Sequence, residues 1–448
     1  MKKNIILIGM PGSGKTEISK RLARILCREP ADCDQLTENA EKMSIAEIFR
    51  TKGEEYFRTA ETDILSRLSG SENMVISSGG GSVLRNFDLI KDNFFVVYLR
   101  RSLDKIALNL TAGTRPLSKN EDELRNLYEH RHILYENACD VTVENEGTEE
   151  AAAMEAALKF MSYCAASVQG GAADEKKSRH LLAVIGSPVS HSLSPEIHSI
   201  FARSSGLDCL YMPLDVTKDN LADFINCAKN AGIRGFNITM PLKEEIFEYL
   251  DCISEDAKLA GAVNTAVIED GMILGFNTDG IGFVMSLGKQ TAGMTSPKAL
   301  ILGAGGAAKA AACSLNARGW DVTVCSRHPE TVTVPSSAVR CIHWDSTADE
   351  SSHADLIINA TPLGMNGKDE DFSDFAFIDN AKEGCVVYDL IYSPPETALL
   401  KYAAKRKMKT YNGLMMLVFQ AAFAFELFTG HLPSMESIEK AAEHLKSR

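Results

Sequence analysis

Two stretches of the chain carry residues whose types and spacing suit group transfer. Gly9-Met10-Pro11-Gly12-Ser13-Gly14-Lys15-Thr16 fits G-x-x-x-x-G-K-[ST]. An apolar run at 4–8 precedes it and an amphipathic stretch follows, so it reads as a strand, a loop and a helix. In such a loop the backbone N–H groups of Gly12, Ser13 and Gly14 converge on phosphate oxygens, and the helix N-terminus adds positive potential. Lys15 then reaches the β- and γ-phosphates and the Thr16 hydroxyl holds Mg²⁺. ATP with Mg²⁺ is the expected ligand.

The second stretch is Gly303-Ala304-Gly305-Gly306-Ala307-Ala308, which fits G-x-G-x-x-[GA] between a predicted strand at 299–302 and an Ala-rich helix. That context suits a dinucleotide pyrophosphate. The next predicted strand, 321–325, leads into Ser326-Arg327. An NAD site wants a carboxylate there, whereas Arg327 suits a 2′-phosphate, so NADP(H) is expected. Upstream, Lys243 follows Asn237-Ile238-Thr239, and Asp279 follows Gly275-Phe276-Asn277-Thr278. A lysine paired with a carboxylate suits proton transfer. Asn264 lies between them in sequence. Ser192 and Ser194 present two hydroxyls for an uncharged carboxylate site, or equally form an ordinary helix-capping loop. His191 reads as structural. The sequence shows no metal-ligand spacing in this half, so hydride transfer without a metal is the expected chemistry.

Other residues qualify the first site. Asp32 and Asp34 lie two apart where a second strand should end, which would point both carboxylates one way. One suits Mg²⁺ and the other a proton from an acceptor hydroxyl, and a solvated acidic turn is the alternative. Gly79-Gly80-Gly81 follows a strand at 74–78 and permits close approach of a ligand. Arg58, Arg115 and Arg131 are unmatched cations in an acidic chain.

The elements that must position these groups follow from length and pattern. The chain has 448 residues and a net charge of −13, of which 1–170 carry −4 and the remainder −9. Neither half is basic, so nucleic acid and anionic membrane surfaces are poor partners. Its 11 cysteines include no C-x-x-C pair, and the apolar start breaks at Pro11 before a cleavable leader forms. A cytoplasmic protein is expected. The apolar stretch 414–428 contains Gln420 and Glu426 and reads as a buried helix rather than a span. Short Val/Ile-rich runs alternate with amphipathic stretches in both halves, which argues for α/β units with parallel sheets. A small-residue and charged segment marks a linker. The expected division is 1–166, linker 167–179, 180–280, 281–412 and closing helices at 413–448 that pack back on 180–280.

The first 165 or so residues resemble shikimate kinase. The matching pieces are the P-loop, Asp32-Cys33-Asp34, Gly53 to Arg58 with Glu61, Gly79-Gly80-Gly81, Thr114-Arg115-Pro116-Leu117, and Arg131 with Leu134-Tyr135. The resemblance implies that Asp34 binds shikimate hydroxyls and acts as base. It implies that Arg58, Arg131 and the glycine triplet hold the carboxylate and ring, that Arg115 acts from a lid on the transferring phosphoryl group, and that Asp32 assists Mg²⁺. Pro11 in the loop and Asn109 at a lid position depart from the family pattern. Gluconate or nucleoside monophosphate kinases are the alternative.

Residues from about 180 resemble shikimate dehydrogenase, through the motifs above, Asn359 to Met365, Asp389 to Pro394 and Asn412 to Gln420. The resemblance implies a catalytic Lys243–Asp279 pair. It implies a substrate site of Ser192, Ser194, Thr239, Asn264, Tyr392 and Gln420. It also implies an NADP site of Gly303, Ala304, Gly305, Gly306, Ala307, Ser326, Arg327, Thr361 and Gly413. A quinate dehydrogenase is the alternative. Together the resemblances imply a P-loop kinase domain, an α/β substrate domain and a Rossmann domain. Small-molecule substrates are expected: 3-dehydroshikimate and NADPH at one site, shikimate and ATP at the other. A ligand sensor without turnover is the non-enzyme alternative, and Lys15, Asp34, Lys243 and Asp279 argue against it. The sequence leaves the oligomeric state open.

Overall fold

A computed structural model describes residues 2–111, 121–166, 179–288, 296–332, 338–367 and 370–447, with side chains from 108 to 111 and 121 to 123 outside the described set. The chain divides into two compact units. One comprises Met1–Lys176 with Ser187–Ser190 and Pro213–Gly232. The other comprises Lys177–Gly186, His191–Met212 and Ile233–Arg448.

The first unit holds a five-stranded parallel sheet in the order Glu29–Asp32, Met74–Ser77, Asn4–Ile8, Phe94–Arg100, Val141–Glu144. The central strand, Asn-Ile-Ile-Leu-Ile, is buried at every position, as a parallel strand covered on both faces requires. The helix Lys15–Ile25 buries Ile18, Leu22 and Ile25, spaced to share one face. In the chain's strand order this sheet runs 2-3-1-4-5. Connections leave the first and fourth strands in opposite directions, which opens a crevice at their carboxyl ends.

A mixed sheet, which belongs to the second unit except for Pro213–Asp215, is ordered Cys209–Asp215, His180–Gly186, Ile233–Ile238, Thr265–Glu269, Met272–Phe276, Cys252–Ile253. The expectation of parallel strands fails here. Thr265–Glu269 runs antiparallel to both Ile233–Ile238 and Met272–Phe276. The cause is local: Asp270 and Gly271 both adopt positive φ, 49° and 77°, and two such residues close a tight hairpin.

A third sheet, in the same unit, is wholly parallel: Arg340–His343, Asp321–Ser326, Lys298–Leu302, Leu356–Asn359, Val386–Asp389, Lys409–Asn412. Counted along the chain this is the 3-2-1-4-5-6 order of the dinucleotide-binding fold, with its crevice between Lys298–Leu302 and Leu356–Asn359. The apolar stretch near the end forms the helix Leu414–Thr429. It buries Val418, Phe419, Ala421, Ala422 and Phe425 against Ile197 and Phe201 of the helix Ser194–Ser205. Among the described residues no helix is long and apolar enough to cross a membrane. All 11 cysteines are free.

Candidate functional site

The phosphate loop begins where the buried strand Asn4–Ile8 ends. Gly14, at φ 90°, leads into the helix Lys15–Ile25. Lys15 is buried, and its Nζ donates to the Gly9 and Met10 carbonyls at 2.9 Å each. The Thr16 hydroxyl donates to Asp32 Oδ2 at 2.9 Å and lies 3.4 Å from Ser77 Oγ. A hydroxyl beside a carboxylate is an oxygen-donor set that suits a hard cation such as Mg²⁺.

Asp32 and Asp34 do not share a strand face, as the spacing suggested. The strand stops at Asp32, whose side chain accepts from Gln35 N at 3.1 Å and caps the helix Cys33–Glu41. Asp34 sits in the first turn of that helix. Carboxylates favour both positions because a helix start leaves N–H groups unpaired and carries partial positive charge.

The glycine triplet is where the acceptor-side groups meet. A Cβ on Gly79 would lie 2.5 Å from Glu61 Oε1 and 2.9 Å from Asp34 Oδ1. One on Gly81 would lie 2.6 Å from Arg58 Nη2, and one on Gly80 would lie 2.8 Å from the Pro11 ring. Any side chain there would displace the machinery, so glycine is needed for close approach. Pro11 therefore packs the loop against Gly80. Arg58 Nη1 pairs with Glu61 at 3.0 Å, and Glu61, almost fully buried, also accepts from the Ser82 hydroxyl. Arg131 Nη1 and the Tyr135 hydroxyl both donate to the Gly80 carbonyl, at 2.9 and 2.5 Å. Burial pushes the Tyr135 phenol up to about 12. Arg115 and the side chain of Asn109 lie outside the described residues.

In the second unit Lys243 Nζ lies 2.5 Å from Asp279 Oδ2, with both groups largely buried. Lys243 belongs to the short helix Leu242–Glu245 after the strand Ile233–Ile238, and Asp279 opens the helix Asp279–Leu287. Asn264 joins them. Its Nδ2 donates to Asp279 Oδ1 at 2.7 Å and to Thr278 Oγ1 at 3.0 Å, and it lies 3.5 Å from Gln420 Oε1. Its Oδ1 accepts from Thr278 N at 2.8 Å and from the Thr265 hydroxyl at 3.0 Å.

From Thr265 the hydrogen bonds continue outward. Asn237 Nδ2 donates to Thr265 Oγ1 at 3.0 Å, and the Tyr211 hydroxyl donates to Asn237 Oδ1 at 2.8 Å. Separately, the backbone N–H of Ser194 donates to Ser192 Oγ at 3.3 Å. Tyr211, rather than the serines, is thus tied to the Lys243–Asp279 pair through one polar chain. Thr239 and Tyr392 stand outside it. Thr239 lies against Gly186, and Tyr392 packs against the apolar cluster that includes Ile197, Leu414 and Val418, where burial raises its phenol.

At the crevice of the third sheet Gly303 adopts φ 106°, and a Cβ there would lie 3.0 Å from the Ala360 carbonyl and from Thr361 Cγ2. That leaves bare backbone for a pyrophosphate, followed by Gly305 as N-cap of the helix Gly306–Asn316. Ala304 and Ala307 flank these glycines. The Thr361 hydroxyl and N–H donate to Asn359 Oδ1 at 2.6 and 3.0 Å, and Asn359 Nδ2 donates to Asp389 Oδ1 at 2.9 Å. Burial raises the Asp389 carboxyl to about 6. Arg327 is exposed just past the strand Asp321–Ser326, and Ser326 Oγ accepts from His328 N at 3.2 Å. Gly413 N–H donates to the Ile391 carbonyl at 3.1 Å. These residues fit NADP(H): glycines at the crevice and a free-standing cation past the second strand.

The sequence reading missed Tyr211 and His198. Tyr211 lies on the strand Cys209–Asp215, whose Pro213 and mixed polarity hid it. His198 is fully buried and stacks on Tyr211 at 4.2 Å, and burial lowers its pKa to about 3, so it is neutral. It supports Tyr211, whereas His191 is exposed.

Comparison with known proteins finds matches to both parts of the chain. The shikimate kinase family model matches residues 11–162. The models for the shikimate dehydrogenase substrate binding domain and the shikimate 5′-dehydrogenase C-terminal domain match 184–266 and 413–443. The NADP(+) shikimate dehydrogenase of Methanocaldococcus jannaschii is 40% identical over 270 residues, 58% of this chain and 95% of that protein. That of Alkaliphilus metalliredigens is 37% identical over 272 residues, 58% and 95% respectively. A solved shikimate dehydrogenase in complex with NADP⁺ is 39% identical with a TM-score of 0.54, covering 62% of this chain and 98% of its own. The Thermus thermophilus enzyme in complex with NADP(H) and shikimate is 34% identical with a TM-score of 0.52, covering 59% and 99%. The chain belongs to the shikimate dehydrogenase family, and a shikimate kinase domain precedes that part of it.

Proposed function

We propose that the chain is a bifunctional enzyme that reduces 3-dehydroshikimate to shikimate with NADPH and phosphorylates shikimate to shikimate 3-phosphate with ATP. The observation that carries the first activity is the Lys243–Asp279 contact at 2.5 Å, braced by Asn264. NADPH, when bound, supplies a hydride to the carbonyl carbon. Lys243 gives the proton that the developing alkoxide needs, and the contact with Asp279 holds Lys243 aimed. Asn264 and Gln420 hold ring hydroxyls, Ser192 and Ser194 hold the carboxylate, and Thr239 and Tyr392 close the edge of the site. Gly303, Gly305 and Gly306 receive the pyrophosphate, with Thr361 and Gly413 beside the crevice, and Arg327 with Ser326 takes the 2′-phosphate.

In the kinase domain Asp34 accepts the proton of the attacking hydroxyl. Arg58 and Arg131 neutralise the shikimate carboxylate against the glycine triplet. Lys15 swings from its two carbonyl partners to the nucleotide phosphates, and Arg115 is assigned to the transferring group. Thr16 and Asp32 would hold Mg²⁺, which when bound neutralises phosphate charge. The product of the dehydrogenase is the acceptor of the kinase, which favours this pair of activities over a chance fusion. A cytoplasmic setting accords with two soluble substrates.

The test uses the full chain with 3-dehydroshikimate, NADPH, ATP and Mg²⁺, each omitted in turn, while NADPH loss and ADP formation are followed together. ADP formation that depends on NADPH, and is restored by added shikimate without it, is the expected result. NADPH loss without ADP, even with added shikimate, would sink the kinase assignment.

A further inference from the structure

Arg101 follows the strand Phe94–Arg100, the neighbour of the P-loop strand Asn4–Ile8 across the crevice of the first sheet. Its Nη1 lies 3.7 Å from where a Cβ on Gly14 would stand, so the guanidinium adjoins the P-loop. Its Nε is buried without a hydrogen-bond partner, and among the described residues it makes no ion pair. Two further groups at the same spot are orphaned. Ser13 and Asn145 are 0% and 1% exposed, and Ser13 Oγ and Asn145 Oδ1 have no partner. Asn145 Nδ2 meanwhile donates to the Ser13 carbonyl at 2.8 Å and stands 3.2 Å from the same Cβ position.

This arrangement is costly as it stands. Among the described residues this guanidinium has no counter-ion, and it lies next to a helix N-terminus, whose partial charge is also positive. An anion in the loop would reverse that balance. Arg100, one residue earlier, shows the contrast: it points to Glu144 and Glu136 and is satisfied. Among the described residues Arg101 has no such partner.

We propose that Arg101 is a nucleotide-contacting residue of the kinase domain, pairing with the phosphates that the P-loop holds. The inference rests on the kinase reading given above, and it adds a cation that none of the sequence motifs contains. Asn145 positions the loop for this contact through the Ser13 carbonyl.

The experiment uses full-length Arg101→Ala and Arg101→Lys chains. ADP and adenosine binding are measured calorimetrically, beside kinase KM values for ATP and shikimate. The dehydrogenase rate of the same chain reports that it is folded. The Ala variant should lose ADP affinity by about 10- to 100-fold, the range of a hydrogen bond to a charged group. Adenosine affinity, shikimate KM and dehydrogenase rate should hold, and Lys should restore part of the loss. Unchanged ADP affinity would overturn the proposal, as would an equal loss for adenosine or a parallel rise in shikimate KM. The kinase reading is judged separately on the unaltered chain. If that chain binds ADP but phosphorylates no shikimate, the acceptor assignment fails while Arg101 keeps its role. If it binds no ADP, both fall.

Discussion

Lys243 Nζ and Asp279 Oδ2 lie 2.5 Å apart, and the second Asp279 oxygen is held by Asn264 at 2.7 Å. The carboxylate is therefore fixed from both sides and cannot rotate away from the ammonium group. Removing the ammonium should remove the proton donor and leave substrate binding mostly intact. Lys243→Met is expected to lower dehydrogenase kcat by about 10²- to 10⁴-fold, the usual worth of general acid–base catalysis. KM for 3-dehydroshikimate should change far less. Kinase turnover by the same chain is the control, and full dehydrogenase kcat in the variant would refute the assignment.

Asn264 is almost fully buried and spends both ends of its amide on Asp279, Thr278 and Thr265. Asn264→Ala strands those partners, each at a cost of about 1–3 kcal/mol. The melting temperature of the dehydrogenase part should fall along with kcat. Asn264→Asp should lower both further at neutral pH, because a second buried carboxylate would face Asp279. Comparing melting curves and kcat for the two variants tests this order.

Asp32 accepts from Thr16 with one oxygen and from Gln35 N with the other. Asn caps a helix about as well as Asp, so Asp32→Asn keeps the cap and deletes the charge. The Mg²⁺ concentration for half-maximal kinase rate should rise by about tenfold or more, read by titration at saturating ATP. An unchanged Mg²⁺ requirement would remove Asp32 from the cation site.

Arg327 is exposed past the second strand of the third sheet, where the cofactor ribose is expected. Arg327→Ala should raise KM for NADPH by about 10- to 100-fold, as loss of a charged hydrogen bond predicts, and leave the KM for NADH near its starting value. Equal effects on both cofactors would argue against a 2′-phosphate contact.

Burial lifts the Asp389 carboxyl to about 6, while bonds from Thr397, Ile391 and Asn359 pull the other way. The folded state thus holds this proton more tightly than the unfolded chain does. Its stabilising contribution is present below about pH 4 and is lost as pH rises through about 6, by up to about 3 kcal/mol. Asp389→Asn should remove that loss. The difference in unfolding free energy between the two chains should slope from pH 4 to 6 and level off above 7. A flat difference throughout would show that the carboxyl is not shifted.

The P-loop, the glycine triplet and the dinucleotide turn were legible because each needs glycine or a fixed residue order at a strand end. Lys243, Asp279 and Asn264 were legible as residues but not as one hydrogen-bonded cluster, since they come from three separate turns. The helix at Cys33 escaped notice because Asp-Cys-Asp reads as a strand end until the Gln35 N–H bond is seen. The hairpin at Asp270-Gly271 turns a strand pair antiparallel, and a dipeptide outside the motifs gave little warning. Tyr211 and Arg101 carry no motif at all. Only the tertiary pairing of distant strands gives them meaning.

The cap that Asp32 provides has a consequence for the order of events in the kinase. One carboxylate answers both to the Thr16 hydroxyl and to the first turn of the helix that bears Asp34. With Asp32 at the cation and Asp34 as base, the roles proposed above, a pull on one oxygen would reach the other and link cation occupancy to the aim of that base. Linkage is reciprocal: filling the acceptor site must alter cation affinity by the same factor by which the cation alters acceptor affinity.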